Sequence, residues 1–294
     1  MPGSIKEHAY QTTIAIILFL LSATMLYPFL YVVIVSFTDQ TAYVPGQLVL
    51  WPQRWSLDAY RVILSGHGFT DALGSSLFIT LVGTPLAIAV SAMMAYMLAK
   101  PTLPGRKWIL NLLVFTLLFS PGLIPLYLVI RSLGLIDSRW ALILPGVANA
   151  WTLLVLKSFF QSLPKEVEES AKIDGSNDLG LFFRIVVPLS KAPLAAFTLF
   201  FAVYYWNLYF PAIMFINDVA KWPLQVFLQL MVMAASIEQF VDATAVSDII
   251  GRQRMHPEML KMAAVVVVTV PILLVYPFLQ KHFAKGVLIG SVKG

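Results

Sequence analysis

Long apolar runs alternate with short polar stretches along this chain, and the charges fall almost entirely in the stretches. Six runs contain no Asp, Glu, Lys or Arg: residues 14–38, 72–99, 108–130, 141–156, 192–217 and 262–280. Crossing the hydrocarbon of a bilayer takes about 20 apolar residues as a helix, so each run reads as a transmembrane span, the fourth being short and dependent on its polar flanks. The first is too long, at roughly 25 residues, for a signal-peptide core and is followed by no small-residue cleavage site, so it reads as a retained helix. The pattern predicts an all-α polytopic membrane protein with six transmembrane helices. Its parts are a first helix and outer loop (1–71), a transmembrane core (72–284) and a C-terminal tail (285–294).

Composition agrees. Hydrophobic residues make up 59% of the 294 positions and charged residues 12%, where a soluble domain carries about 25% charged. The basic residues set the orientation. With the N-terminus inside, Lys6, Lys100, Arg106, Lys107, Lys157, Lys165, Lys172, Arg184, Lys191, Lys281, Lys285 and Lys293 face the cytoplasm, and only Arg54, Arg61, Arg131, Arg139, Lys221, Arg252, Arg254 and Lys261 lie outside. The connection KPTLPGRK shows the bias most cleanly. Both termini are therefore expected to be cytoplasmic, and the basic pI of about 9.3 needs no nucleic acid to explain it.

Several chemistries find no residues. There is no cysteine, so thiolate metal sites and catalytic thiols are excluded. The four histidines, His8, His67, His256 and His282, sit in separate segments with no ligand spacing, so no metal is expected. Ion-coupled carriers need ionisable groups within the membrane, and the six runs hold none. No H-E-x-x-H or G-x-S-x-G occurs, and the terminal GVLIGSVKG does not fit a P-loop, so no catalytic residue is assigned. No internal repeat is evident, which argues against an inverted-repeat carrier. The residues Ala87, Ser91, Ala95 and Ala99 recur every fourth position, a stripe that lets helices approach closely in lipid.

Uncharged polar groups remain inside the spans. Asn149 is near the middle of the fourth, and YYWNLYFPA in the fifth carries Tyr205, Trp206 and Asn207 between Tyr204 and Tyr209. Aromatic faces beside amides suit a sugar pathway, and they equally suit an interfacial belt. In the last outer loop, 218–261, WPLQVFLQLMVMAASIEQF reads as an interfacial helix, with a re-entrant segment as the alternative.

The charged stretch EVEESAKIDGSNDLGLFFRIVVPL lies in the inner loop 157–191, between the fourth and fifth spans. Pro164 suits the first position of a helix whose early glutamates face its positive end. Val167, Ser170, Ala171 and Asp174 share one small, weakly apolar face, which suits docking into another protein's groove. Gly175 is placed for the left-handed residue after the helix. Asp178 is expected to cap a second helix that Pro188 ends.

These residues resemble the EAA motif of binding-protein-dependent ABC importer permeases: Glu169-Ser170-Ala171, two residues, Asp174-Gly175-Ser176, eight residues, Ile185, two residues, Pro188. Serine replaces alanine twice, keeping the side chains small. SLDAY in the first outer loop, WN in the fifth span and PFLQKHFAKGVLIGSVKG at the end are similar to maltose-type sugar permeases of the oligosaccharide branch, which includes lipoprotein-associated and uronate-oligosaccharide importers such as those for alginate. The resemblance implies a type I importer transmembrane domain in the bacterial inner membrane. It implies a second permease subunit, usually non-identical, two ATPase subunits carrying ATP and Mg, and an external solute-binding protein. This chain itself would bind no cofactor. Glu169 would pair with a basic residue of the ATPase and Gly175 would allow the turn. The tail, with Lys285, Gly290 and Lys293, would reach between the ATPase subunits. A permease for a non-sugar solute, or a stand-alone secondary carrier, is the alternative.

Overall fold

In the computed structural model of the chain, residues 5–44, 46–47, 49–173, 175–237 and 255–290 are described. Among them every regular element is a helix, and the β contact is an isolated antiparallel bridge between Thr38 and Trp55. The chain divides into two compact units, Met1–His67 with Leu228–Val270 and Gly68–Phe227 with Pro271–Gly294.

The first unit is built on α1 (Ile5–Ser36) and α2 (Asp58–Ser65). An 18-residue window of the apolar run Tyr10–Ser36 is not buried by the chain at all, as suits a helix whose solvent is lipid. Polar order begins where this run ends. The Ser36 hydroxyl meets the Tyr60 hydroxyl at 2.6 Å, tying α1 to α2. The Tyr43 hydroxyl donates to Glu258 Oε2 at 2.5 Å, and its ring lies 5.2 Å from that of His256. Burial first, then the Glu258 carboxylate, pushes the Tyr43 phenol above its usual range.

The second unit runs through α3 (His67–Ala99), α4 (Arg106–Leu118), α5 (Leu123–Ser132), α6 (Trp140–Ile143), α7 (Ala150–Gln161), α8 (Lys165–Ile173), α9 (Asp178–Leu181), α10 (Val187–Leu189), α11 (Lys191–Trp206) and α12 (Phe210–Phe215). The helices α13 (Leu224–Ile237) and α14 (Pro257–Gly290) contribute to both units. The small-residue stripe behaves as expected. Ala87, Ser91 and Ala95 on α3 are fully buried, and Ala99 is half-buried.

Six spans were expected; among the described residues three of the six runs lie on single helices and the other three are bent or broken. Tyr10–Ser36, Gly68–Ala99 and Pro257–Leu274 are long and apolar enough to cross a membrane alone. Two bent pairs, Trp140–Gly146 with Ala150–Gln161 at 45° and Asp178–Leu189 with Lys191–Trp206 at 86°, raise the number to at most five. The expected third span, 108–130, is split into α4 and α5. Pro121 supplies no N–H and Gly122 takes φ +85°, a region open to glycine and costly for other residues. The fifth, 192–217, is likewise interrupted between α11 and α12, where Asn207 closes α11 and Pro211 opens α12.

The break in the fourth span accounts for its own backbone groups. Val147 N–H turns to the Leu144 carbonyl at 3.3 Å, which leaves the Ile143 carbonyl without its ordinary helical donor. The Tyr205 hydroxyl donates to it at 3.0 Å. The Ser91 hydroxyl donates to the Val147 carbonyl at 3.1 Å, and Asn149 Oδ1 accepts from Thr152 N–H at 3.1 Å as the N-cap of α7. Irregular backbone at membrane depth is tolerated only with such partners.

Candidate functional site

The loop between α7 and α11 forms a helix, a left-handed turn and a second helix. At its first end, Gly175 has φ +82°. Its N–H donates to the Lys172 carbonyl at 3.0 Å, and Ser176 N–H donates to the Ala171 carbonyl at 2.9 Å. This pair of bonds is a Schellman closure, and it fixes where the chain leaves α8. Asp174, named with the motif, lies outside the described residues.

Three details differ from the sequence reading. The second helix is capped by Asn177, whose Oδ1 accepts from Gly180 N–H at 2.7 Å, and Asp178 is its first residue. Both side chains can serve as caps, and the backbone chose the earlier. Nor does Pro188 end this helix. A π turn over Phe182–Val186 intervenes, with Val187 N–H bonded to the Phe182 carbonyl, and Ser190 N–H still reaches the Val186 carbonyl at 3.0 Å beyond the proline. The wide turn relieves the clash between the proline ring and the Arg184 carbonyl, for which Pro188 has no donor. The small face of α8 is divided: its apolar members turn inward and Ser170 stays exposed. Ala171 is buried and Val167 half-buried, Ala171 within the main core of the second unit. The outward face carries Glu169, Ser170 and Ile173, the last 86% exposed. Ala171 and Val167 seat α8 on its own bundle.

Beyond the turn, Leu179 and Phe183 are exposed, Ile185 is partly buried against the core, and Pro188 is exposed. The loop therefore presents Glu169, Ile173, Leu179 and Phe183 as a mixed acidic and apolar surface. Lys285 and Gly290 fall in the last helix, α14, and Lys293 lies outside the described residues.

The structure does not bring the four candidate pathway residues together. Asn149 lines a groove of about 320 Å³ with Pro145, Trp151, Phe200 and Tyr204. Tyr205 is fully buried, and its phenol serves the Ile143 carbonyl. Its ring lies so close to α3 that a Cβ on Gly83 would sit 2.9 Å from two ring atoms. Trp206 is also buried, 5% exposed. Asn207 is exposed at the end of α11, its amide donating to the Val203 carbonyl at 2.8 Å and accepting from Gln225 at 2.9 Å. Of the run Tyr204–Asn207, the residue that lines the groove is Tyr204, one before the candidate Tyr205.

Sequence reasoning missed Asp137. It holds φ +62°, an uncommon value that Asp tolerates better than most residues. Its carboxylate accepts from the Asn217 and Asp218 N–H groups at 3.0 and 2.8 Å and from Lys221 Nζ at 2.6 Å. The Lys221 bond, then the backbone donors, hold its carboxyl below the usual range, and the same contact raises Lys221. This buckle joins the segment between α5 and α6 to the one after α12.

Residues 13–289 match the family model of the binding-protein-dependent transport system inner membrane component. The chain belongs to this family. Among similar proteins, the polygalacturonan/rhamnogalacturonan transport system permease protein YtcP of Bacillus subtilis is 47% identical over 289 residues, 98% of this chain and 100% of that protein. Protein LplC of the same organism is 48% identical over 281 residues, covering 95% and 93%. A chain of a bacterial ABC transporter involved in the import of the acidic polysaccharide alginate superposes with a TM-score of 0.86 at 29% identity, over 96% of this chain and 99% of that one. The expected family is thus the observed one, and a helical transport fold is shared along nearly the whole chain.

Proposed function

We propose that this chain is one membrane subunit of an ATP-driven importer of acidic oligosaccharides, forming half of the pathway and receiving work through the 157–191 loop. The carrying observation is the α8 turn: a Schellman closure at Gly175 holds Glu169 and Ile173 on an outward face. A connector between two spans needs no such fixed surface. A partner that must push on the loop does. In this reading the loop and both termini are cytoplasmic, consistent with the distribution of Lys and Arg. Two ATPase subunits supply ATP and Mg, Glu169 pairs with a basic residue of one of them, and this chain performs no catalysis. A second, non-identical permease completes the pathway, and a solute-binding protein delivers the sugar from outside. Residues 285–294 extend toward the ATPase pair.

The Asn149 groove, with Tyr204 and Trp151, is the stretch of pathway this chain contributes, and Asn207 with Gln225 supplies a further amide pair. Tyr205 and Trp206 shape that pathway from within the bundle. The substrate class rests on likeness. The Bacillus subtilis relative is named for galacturonan polymers and the structural neighbour for alginate, both built from uronate sugars. The six apolar runs carry no basic residue, so the carboxylates are recognised by the binding protein or the partner permease.

The test is a substrate panel on the reconstituted transporter with its binding protein. Oligogalacturonates, rhamnogalacturonan fragments or alginate oligomers are expected to stimulate ATP hydrolysis several-fold over neutral maltodextrins. Stimulation by neutral sugars alone would overturn the acidic assignment, and stimulation only by a non-sugar solute would overturn the sugar.

A further inference from the structure

The end of α3 nearest α8 is held by three side chains from three other segments. Arg106 Nε donates to the Leu98 carbonyl at 2.8 Å, and Gln161 Nε2 donates to the Ala99 carbonyl at 3.2 Å. Both carbonyls belong to the last turn of α3, where backbone acceptors lack helical donors. The third contact is the ion pair between Lys100, just past α3, and Glu168 on α8. This ion pair links α8 to the end of α3. Its side chains are only 20% and 25% exposed, so solvent screens it less than an ordinary surface pair.

The surroundings keep the pair in one place. The Lys100 ammonium lies 4.4 Å from the centre of the Tyr96 ring. Tyr96 is buried, and its ring contacts those of Phe182 at 5.2 Å and Phe160 at 6.2 Å. One aromatic cluster thus lies beneath the pair and joins α3, α7 and the π turn. Burial lowers the Lys100 pKa, but the bond to Glu168 and the neighbouring Tyr96 outweigh it and leave the ammonium stabilised.

From this joint α3 runs to the break in the fourth span. Its buried stripe, Ala87, Ser91 and Ala95, presses on the bundle, Ser91 holds the Val147 carbonyl, and Gly83 lies against the Tyr205 ring. Close packing of this kind transmits displacement. We propose that Lys100 and Glu168 are positioning residues for transport, the joint that makes α3 follow α8 and so carries motion of the loop to the Asn149 groove. The proposal rests on the reading of the 157–191 loop as the site where an ATPase pushes. It differs from the role given to Glu169, which faces outward toward a partner, whereas Glu168 faces inward.

The test uses the full reconstituted transporter and whichever uronate oligomer stimulates the wild type. Removing one charge alone leaves the other half-buried and unpaired, which is itself destabilising. The informative variants are therefore the double replacement Lys100→Ala/Glu168→Ala and the exchange Lys100→Glu/Glu168→Lys. The double alanine variant is expected to assemble with the ATPase at the wild-type yield and keep basal hydrolysis. Its substrate stimulation should fall about tenfold, about 1.4 kcal/mol of lost coupling, with uptake falling in parallel. The exchange variant should recover most of the stimulation. Wild-type stimulation in the double alanine variant would overturn the proposal. So would an exchange variant that assembles normally and stays unstimulated. A wild-type complex that no substrate stimulates would instead reject the ATPase reading itself, whatever the pair does.

Discussion

Replacing Gly175 with valine is expected to abolish substrate-stimulated ATP hydrolysis while leaving the subunit folded in the membrane. Gly175 sits at φ +82°, and a Cβ built there meets nothing within 4 Å. The constraint within this chain is therefore conformational, not steric. An L-residue held in the left-handed region costs about 1–2 kcal/mol, more for a β-branched one, and that shifts a two-state turn by a factor of roughly 5–30. The chain would then leave α8 in another direction and carry Ser176 off the Ala171 carbonyl, which misplaces Leu179 and Phe183. The order of effects is diagnostic. If the turn is what matters, Gly175→Asn should be milder than Gly175→Ala, because Asn tolerates this region better. If close approach to an ATPase dictates the glycine, alanine should be the milder. Glu169→Lys should give the same uncoupled phenotype by charge reversal on an intact turn. Unchanged stimulation in both Gly175→Val and Glu169→Lys would remove the coupling role from this loop.

The second large effect lies inside the bundle. Gly83→Val is expected to lower the melting temperature of the purified complex by several degrees and reduce its yield. Two terms compete there. An alanine in a helix interior is favoured over glycine by about 1 kcal/mol. Against that, any Cβ at position 83 would lie 2.9 Å from the Cε2 and Cζ atoms of Tyr205. Overpacking of this kind costs about 1–3 kcal/mol, and the Tyr205 ring has no room to retreat because it is fully buried and its hydroxyl is engaged. The clash wins, so even Gly83→Ala should destabilise, and valine more so. Gly146 makes a useful contrast. Its Cβ would meet Tyr204 Cε1 at 2.6 Å and the Tyr205 hydroxyl at 3.1 Å; Tyr204 is 45% exposed and its ring can swing aside, which leaves only the slighter contact with Tyr205. Gly146→Ala should therefore cost less than Gly83→Ala. Thermal unfolding of the three variants checks the ranking, and equal stability of Gly83→Ala and wild type would contradict the packing account.

What the sequence disclosed was what spacing along one helix can carry. The stripe at Ala87, Ser91 and Ala95 repeats every fourth residue, so its burial could be read without knowing its partner. Gly175 could be read because a left-handed turn after a helix nearly demands glycine. That prolines such as Pro121 would bend the spans was in view, but not how fully the helix would be interrupted. Pro121 and Gly122 sit within an uninterrupted apolar run, and a run that is long enough looks continuous whatever its backbone does. Asn149 looked like a polar group awaiting a ligand, and one of its bonds is spent capping α7. Tyr205 looked like a sugar platform beside Asn207, and its ring turned to the side that fills the space at Gly83. Neither outcome is coded locally, because each depends on the neighbour chosen by tertiary packing. The same holds for Lys100 and Glu168, which are 68 positions apart and give no sign in one sequence that they meet. The inward turn of Ala171 belongs here too, since a small, weakly apolar face serves a partner's groove or its own bundle equally well.

The central claim is that this chain moves solute with work done by an ATPase docked on the 157–191 loop. It is tested most directly by the energy source of uptake in proteoliposomes holding the complete transporter and its binding protein. Uptake of a uronate oligomer is expected to require ATP inside the vesicles and to persist when ion gradients are collapsed. Uptake that continues without ATP and stops when the gradient is removed would contradict it.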